Sequence, residues 1–94
     1  MSQDNFEWDD RKAASNFAKH GVTFEMAREV FRDAFAIEHY DDRQDYGEPR
    51  YTIIGMVEGH LLFVAFTMRG DTYRIISARG AEPHEQRQYH GDNI

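Results

Sequence analysis

Three polar residues near the start of the chain recur at helical spacing and have the chemistry to bind a phosphate. Lys12, Asn16 and Lys19 fall within about 60° of one another on a helix that turns roughly 100° per residue. Two ammonium groups beside an amide can hold an anion, which makes these residues candidate ligands of a nucleic-acid phosphate. The same pattern is also typical of a solvent-exposed helix face, and the spacing alone does not separate the two interpretations.

Three arginines lie on or beside one predicted strand near the end of the chain. Arg69 precedes this strand, and strict alternation puts Arg74 and Ala78 on one of its faces and Arg79 on the other. A guanidinium can bind two phosphate oxygens at once, because its donors lie in one plane. An arginine at the end of a strand is also a common surface ion-pair partner, so both interpretations stay open for Arg79.

Histidine is the other residue type here that could do acid–base chemistry. His20 precedes Gly21 at the predicted end of a helix, where the helix dipole favours the charged imidazole. It is a candidate general acid or base near neutral pH. The histidines lack metal-ligand spacing, apart from a weak pair formed by His84 and His90, so we expect no metal site. Nucleotide-binding and hydrolase motifs are also absent from the sequence, and we expect no cofactor.

Capping residues and hydrophobic periodicity predict the elements that must position these side chains. Asp9 or Asp10 caps a first helix, Gly21 ends it, and Thr23 caps a second. Runs of β-branched and aromatic residues joined by glycine turns then predict an antiparallel meander. The predicted strands are 6–8, 35–40, 50–57, 60–68 and 72–79, and the predicted helices are 11–20, 24–32 and 82–89.

Helices that are segregated from an antiparallel sheet define an α+β fold. We expect the first two helices to pack on one sheet face, with Phe17, Phe24 and Phe31 in the core, and a short helix to end the chain. If Phe17 and His20 face the sheet, the lysine-bearing side of the first helix borders the strand that carries Arg79. Cations from two elements would then converge on one shallow groove, as binding a phosphodiester requires.

Length, charge and composition restrict the classes of protein to which the chain can belong. Its 94 residues fit a single domain over 1–94, and it has no cysteine for a disulfide or a nucleophile. The first residues are polar and the longest apolar run is short, so we expect a cytoplasmic protein with no membrane partner. The net charge of −6 argues against sequence-independent binding of nucleic acid. A local basic cluster can nevertheless exist within an acidic chain.

Taken together, the motifs resemble those of the BrnT family of bacterial toxins. The resemblance extends to about Tyr89, which is nearly the whole chain, and it is specific because the motifs occur in this order at these spacings. The matching segments are 6–9, Lys12, Asn16, 19–25, 30–33, 47–51, 54–55, 61–64, 67–71 and 74–79.

The resemblance implies a RelE-like fold and a metal-independent endoribonuclease that inhibits translation. It also implies an adjacent BrnA-like antitoxin with a ribbon–helix–helix domain, so that the toxin contacts DNA only through this partner. Such a ribonuclease needs a base, an acid and cations that stabilise charge on the phosphate.

The resemblance and the chemistry of the residues together nominate the site. His20, Arg79 and Lys12 are the predicted catalytic residues, with His20 in the acid–base role. Lys19, Asn16, Arg69 and Arg74 are the predicted substrate-binding residues, and RNA is the predicted substrate.

The end of the chain departs from the family pattern and leaves a second function open. Gly80 follows Arg79 where family members commonly have a basic residue, and Glu82, Glu85 and Gln86 dilute the charge around Arg87. The alternative is therefore a non-catalytic or weakly active module that keeps the fold and the antitoxin-binding surface. The alternative predicts antitoxin binding without potent RNA cleavage.

Overall fold

The structure is a computed structural model that describes residues 5–92. A five-stranded mixed sheet and three α-helices confirm the α+β class. The strands are β1 (Phe6–Glu7), β2 (Ile37–Asp41), β3 (Arg50–Val57), β4 (His60–Arg69) and β5 (Thr72–Gly80). The helices are α1 (Asp10–His20), α2 (Phe24–Glu29) and α3 (Pro83–Asp92), and a 3-10 turn (Val30–Arg32) follows α2. None of the helices within this range is long and apolar enough to cross a membrane.

The sheet is an antiparallel meander with one parallel strand added at its edge. Its order is β1-β5-β4-β3-β2, and β2 to β5 pair antiparallel in sequence. β1 runs parallel to β5, with Phe6 beside Tyr73. The expectation of a purely antiparallel sheet is therefore wrong for β1. Strand propensity identified this segment, but pairing with a strand so far away along the chain is not readable from local sequence.

The helix ends are fixed by the capping residues that the sequence indicates. The Asp9 carboxylate accepts hydrogen bonds from two backbone N–H groups of the first turn of α1, at 2.8 and 3.1 Å. Gly21 ends α1 in the left-handed conformation at φ 70°, which favours glycine. The Thr23 hydroxyl caps α2 by accepting from the Met26 backbone N–H at 3.0 Å. The α-helical hydrogen bonding of α2 ends at Glu29, and its predicted last turn is the 3-10 turn.

The hydrophobic core lies between one face of the sheet and the chain segment from Val22 to Phe31. Phe24 is fully buried, as predicted, and Phe31 packs at the edge of the core against the rings of Phe6, Phe66 and Tyr73. The backbone of the 3-10 turn comes so close to β3 that a Cβ atom on Gly55 would lie 2.7 Å from Cγ1 of Val30. Glycine at this position therefore allows the turn to rest on the sheet.

The orientation of α1 differs from the predicted one. Phe17 is 53% exposed, so the expectation that it belongs to the core is wrong. Asn16 is only 8% exposed, and its carboxamide faces inward instead. It donates to the carbonyls of Ala78 at 2.8 Å and Val22 at 3.0 Å, and it accepts from the Ala78 N–H at 3.1 Å. Because β1 spans only two residues, this amide satisfies the edge of β5 beyond it.

Candidate functional site

A β-bulge determines which arginines share a face of the sheet. Ala65 pairs with Ser77, whereas the next residue of β4, Phe66, pairs with Ile75, so one residue of β5 is skipped. As a result Ile75 and Ala78 are both buried in the core. Arg74 and Arg79 therefore share the opposite face, and the strict alternation that separated them is wrong at the bulge.

We call the sheet face opposite α1 and α2 the arginine face. Four arginines project from it: Arg50, Arg69, Arg74 and Arg79. Carboxylates link three of these arginines into a row. A carboxylate oxygen of Glu48 lies 3.2 Å from Nε of Arg50, and its other oxygen lies 3.9 Å from Nη2 of Arg69. Oε2 of Glu7 lies 3.9 Å from Nη1 of Arg69 and 3.0 Å from Nη1 of Arg74. The row therefore presents guanidinium groups whose charge is balanced locally.

Arg79 is the most tightly held of the arginines on this face. Its Nη1 and Nη2 donate to the two carboxylate oxygens of Glu85 at 2.8 and 2.9 Å, and Nη1 also donates to the Gly80 carbonyl at 3.1 Å. The ring of Phe63 lies against the guanidinium, 4.3 Å from its central carbon. The hydrogen bonds with Glu85 raise the pKa of Arg79 above its ordinary value, so the side chain stays charged.

Arg79 lines a cavity of about 460 Å³ on the arginine face, which we call the arginine cavity. Two more arginines reach it: Arg50, and Arg43 from the loop after β2. Tyr46 and His84 also line it and add a hydroxyl and an imidazole. Three guanidinium groups, a phenol and an imidazole around one concave surface can bind a phosphodiester and exchange protons with it.

The loop residues of the arginine cavity are positioned by one carboxylate. Asp41 accepts two hydrogen bonds from the guanidinium of Arg43, at 2.8 and 2.9 Å, and one from the hydroxyl of Tyr46 at 3.0 Å. The Arg43 side chain is the largest cause that holds the pKa of Asp41 well below its usual range. The central guanidinium carbon of Arg50 lies 4.4 Å from the centre of the Tyr46 ring, and this contact links the loop to β3.

The helix α3 forms the other wall of the arginine cavity and is tied down at both ends. Near its start Glu85 binds Arg79, and near its end the Tyr89 hydroxyl donates to Asp33 at 2.7 Å. Asp33 also accepts from the backbone N–H groups of Met56 and Phe35. Burial opposes ionisation of Asp33, but these three hydrogen bonds outweigh it and lower its pKa. Burial and then the bond with Asp33 raise the pKa of Tyr89 to about 12.

Three residues at the start of α3 have ligand atoms close enough together to bind one metal ion. Ligand atoms of Glu82, His84 and Glu85 lie within 4.8 Å of one another. Both oxygens of Glu85 already accept hydrogen bonds from Arg79, so a cation would have to compete with that guanidinium. The carboxylate of Glu85 is therefore engaged first by Arg79, and Nε2 of His84 lies 3.7 Å from its Oε2.

The charges at this surface balance, although the chain as a whole is acidic. The four arginines of the arginine face and Arg43 of the loop contact five carboxylates, and the chain's remaining 6 basic and 12 acidic residues account for its net charge of −6. The ten residues are Arg43, Arg50, Arg69, Arg74, Arg79, Glu7, Asp41, Glu48, Glu82 and Glu85. These guanidinium groups are therefore neutralised locally, and three of the carboxylates, Asp41, Glu82 and Glu85, also line the arginine cavity.

The structure does not bring the predicted site residues of α1 to Arg79. α1 lies over the core face, where Ala78 is buried, whereas Arg79 projects from the arginine face. The expected groove shared by the Lys12, Asn16 and Lys19 face and by Arg79 is therefore wrong. Lys12 and Lys19 are exposed on α1, and the described contacts of Asn16 are all made with backbone groups. The individual roles proposed for these residues stay predictions.

His20 lines a different cavity, of about 700 Å³, near the β3–β4 turn, and Gly80, the residue after Arg79, also lines it. It shares this cavity with His60 and His90, and with apolar side chains such as Met26 and Leu62. Arg79 does not line it. The predicted partnership of His20 with Arg79 is therefore not supported by their positions.

Of the residues that line the arginine cavity, sequence reasoning nominated only Arg79; those it missed include Arg43, Tyr46, Arg50 and His84. Arg43 and Tyr46 lie in the segment between the predicted strands 35–40 and 50–57, and its internal hydrogen bonds are not visible as a sequence pattern. Alternation along β3 separates Arg50 from the core residue Ile53, but it also puts Arg50 on the face of Ile54, which is buried as well, so this pattern does not single Arg50 out.

Comparison with known proteins agrees with the motifs. A family model described as "Ribonuclease toxin, BrnT, of type II toxin-antitoxin system" matches residues 8–85, which includes all the strands after β1 and the start of α3. A search of curated proteins found no match.

Proposed function

The chain belongs to the BrnT family, the ribonuclease toxins of type II toxin–antitoxin systems, and we propose that it cleaves RNA at the arginine cavity. The observation that carries this proposal is that Arg43, Arg50 and Arg79 line one cavity together with His84 and Tyr46. Planar guanidinium groups are suited to the non-bridging oxygens of a phosphodiester. The groups of this cavity can supply both charge stabilisation and proton transfer without a metal ion.

The proposed reaction is a transesterification within the RNA chain. The ribose 2′-oxygen attacks phosphorus as a base removes its proton, the bond to the 5′-oxygen breaks, and an acid protonates that leaving oxygen. A 2′,3′-cyclic phosphate and a free 5′-hydroxyl result. Arg79 stabilises the negative charge that develops on the phosphate, with Arg50 and Arg43 beside it. Arg69 and Arg74 extend this surface toward neighbouring phosphates.

Replacement of Arg79 tests the site. Purified, antitoxin-free protein is incubated with labelled single-stranded RNA, and cleavage is expressed per folded molecule. We expect Arg79→Ala to slow cleavage by about 10²-fold or more, because transition-state charge is left unstabilised. Arg79→Lys should lose less, since it keeps the charge but not the planar donors. The control is Arg32→Ala, which removes an exposed arginine away from the cavity. Equal rates for Arg79→Ala and the control would remove Arg79 from the site.

The position of His84 makes it the better candidate for proton transfer than His20, since His84 lines the arginine cavity. We expect His84→Ala to slow cleavage and to flatten the rate profile between about pH 5 and 8. His20→Ala and Lys12→Ala should leave cleavage per folded molecule near the wild-type rate. The opposite ranking of the two histidine variants would restore His20 and α1 as the catalytic surface.

The proposed biological role is that of a RelE-like toxin in the cytoplasm that inhibits translation. A BrnA-like ribbon–helix–helix antitoxin is the proposed partner, and it would bind an exposed apolar surface or add a strand to the sheet. Tyr40 lies on the edge strand β2, Phe35 lies just before it, and each residue is 62% exposed. Both fit such a contact. The acidic toxin should not bind operator DNA alone. Specific operator binding by this chain in a gel shift at about 0.15 M salt would contradict that assignment.

A second candidate function is a non-catalytic antitoxin-binding module. The observation that favours it is the carboxylate beside each arginine of the arginine face, which reduces the attraction for RNA. This candidate predicts a stable antitoxin complex and no RNA cleavage above that of the Arg79→Ala variant. Both properties can be measured on one preparation.

A further inference from the structure

The carboxylate of Glu85 has a geometry that the proposed function does not yet use. Its side chain is 6% exposed, although Glu85 belongs to the first turn of a surface helix. Oε1 accepts from Arg79 at 2.8 Å and from the Glu82 backbone N–H at 2.8 Å, and Oε2 accepts from Arg79 at 2.9 Å. One carboxylate therefore joins the start of α3 to β5.

The start of α3 fixes the side chain of Glu85. A glutamate three residues after the N-cap that accepts from the N-cap N–H is half of a capping box. Glu85 and Glu82 have this relation, with Pro83 as the first residue of the helix. Burial opposes the charge of Glu85, but the hydrogen bonds from Arg79 and from the Glu82 N–H outweigh it and lower its pKa. Glu85 therefore stays ionised and in place at neutral pH.

Glu85 and Phe63 together leave one edge of the Arg79 guanidinium for a ligand. Glu85 accepts from Nη1 and Nη2, and the Phe63 ring lies against the planar group. Within residues 5–92, the hydrogen bonds of Arg79 use Nη1 and Nη2 and none uses Nε. The edge formed by Nε and the second hydrogen of Nη2 can still donate two parallel bonds to phosphate oxygens.

We propose that Glu85 is a positioning residue, which holds Arg79 so that its Nε–Nη2 edge meets the scissile phosphate. This inference rests on the proposed ribonuclease function. A long arginine side chain without such support would sample several rotamers, and small misplacements of a charge-stabilising group slow catalysis strongly. The acidic residues that dilute the charge of α3 therefore include one that orders the arginine of the site.

A double-mutant cycle tests this positioning role. Glu85→Gln keeps an acceptor for the Glu82 N–H, but its amide N–H₂ group cannot accept from Arg79 and so breaks the paired contact. We expect it to lower kcat by about tenfold or more with a smaller change in KM. If Glu85 acts through Arg79, then adding Glu85→Gln to the Arg79→Ala variant should not slow its RNA cleavage further. The effects of the two substitutions are then not additive. Glu25→Gln is the control, because Glu25 is exposed on α2 and does not line the arginine cavity.

Chemical rescue and a binding measurement complete the test. Added methylguanidinium should restore part of the cleavage by Arg79→Ala and none when Glu85→Gln is also present, since Glu85 forms the guanidinium site. Multiplicative effects of the two substitutions, or rescue independent of Glu85, would overturn the positioning role while leaving the ribonuclease function intact. If the wild-type chain cleaves no RNA, the proposed function fails. The inference is then decided by NMR of the Arg79 Nε–H signal, which inorganic phosphate should shift in wild type but not in Glu85→Gln.

Discussion

Asn16 offers the sharpest test of how this fold is held together. Its carboxamide donates to two backbone carbonyls, and its oxygen accepts from the N–H of Ala78, a residue that is fully buried. Replacement by alanine leaves that N–H without its partner, which costs about 1–3 kcal/mol in a buried site. Each lost bond to a carbonyl adds roughly 0.5–1 kcal/mol. We therefore expect Asn16→Ala to reduce the free energy of unfolding by about 2–5 kcal/mol.

Urea denaturation measures this loss directly. With an m-value of about 1.5 kcal/mol/M for a chain of this size, the midpoint should fall by roughly 1.3–3.3 M. Ser15→Ala is the matched control, because Ser15 is exposed on the neighbouring position of α1 and should shift the midpoint little. A loss below about 1 kcal/mol for Asn16→Ala, less than one buried N–H left unsatisfied, would refute the argument that Asn16 closes the edge of β5.

The same variant separates the two roles considered for Asn16. A structural residue lowers stability and leaves RNA cleavage per folded molecule unchanged, provided that the assay is run well below the unfolding midpoint. A substrate-binding residue lowers cleavage per folded molecule, as its helical spacing with the two lysines first suggested. The hydrogen bonds of Asn16 are all internal in the structure, and we expect the structural outcome.

Two further substitutions test the core and the anchoring of α3. Phe24→Ala should cost about 3–5 kcal/mol in thermal or urea unfolding, because Phe24 is fully buried, whereas Phe17→Ala, at a half-exposed ring, should cost about 1 kcal/mol or less. Similar losses for both would mean that α1 is rotated. Burial and then the hydrogen bond with Asp33 raise the pKa of Tyr89 from 10.0 to about 12, so the stability that the protonated phenol contributes is fully present below about pH 10 and is lost as the pH rises through about 12. The stability difference between wild type and Tyr89→Phe should therefore shrink over that window, and a constant difference would contradict the assignment.

The elements could be predicted where their causes are local. Asp9, Gly21 and Thr23 fix helix ends through contacts within a few residues, and the meander strands are recognisable from their composition and glycine turns. The parallel pairing of β1 depends on a contact between Phe6 and Tyr73, far apart in sequence. Such a contact has no local signature, so the mixed character of the sheet could not be predicted.

The faces of the elements were harder to predict than the elements themselves. On α1, hydrophobicity favoured Phe17 as the buried residue, but the unpaired edge of β5 takes the amide of Asn16 instead. On β5, a single skipped residue reverses the alternation, and only this reversal brings Arg74 and Arg79 to one face. Arg79 was therefore identified by its residue type and motif, while its neighbours depended on register.

The balance of charge around the arginine cavity explains how an acidic chain can be expected to bind RNA. A guanidinium paired with a carboxylate attracts a phosphate less at long range than a free one, so encounter should be slow and less sensitive to salt than for a basic ribonuclease. At short range the pair has an advantage, because the carboxylate fixes the plane of the guanidinium and leaves one edge for the phosphate. Arg79 shows this arrangement with Glu85, whereas Arg69 lies 3.9 Å from both of its carboxylate partners. Orientation at Arg79, more than total positive charge, is therefore the quantity on which cleavage by this chain should depend.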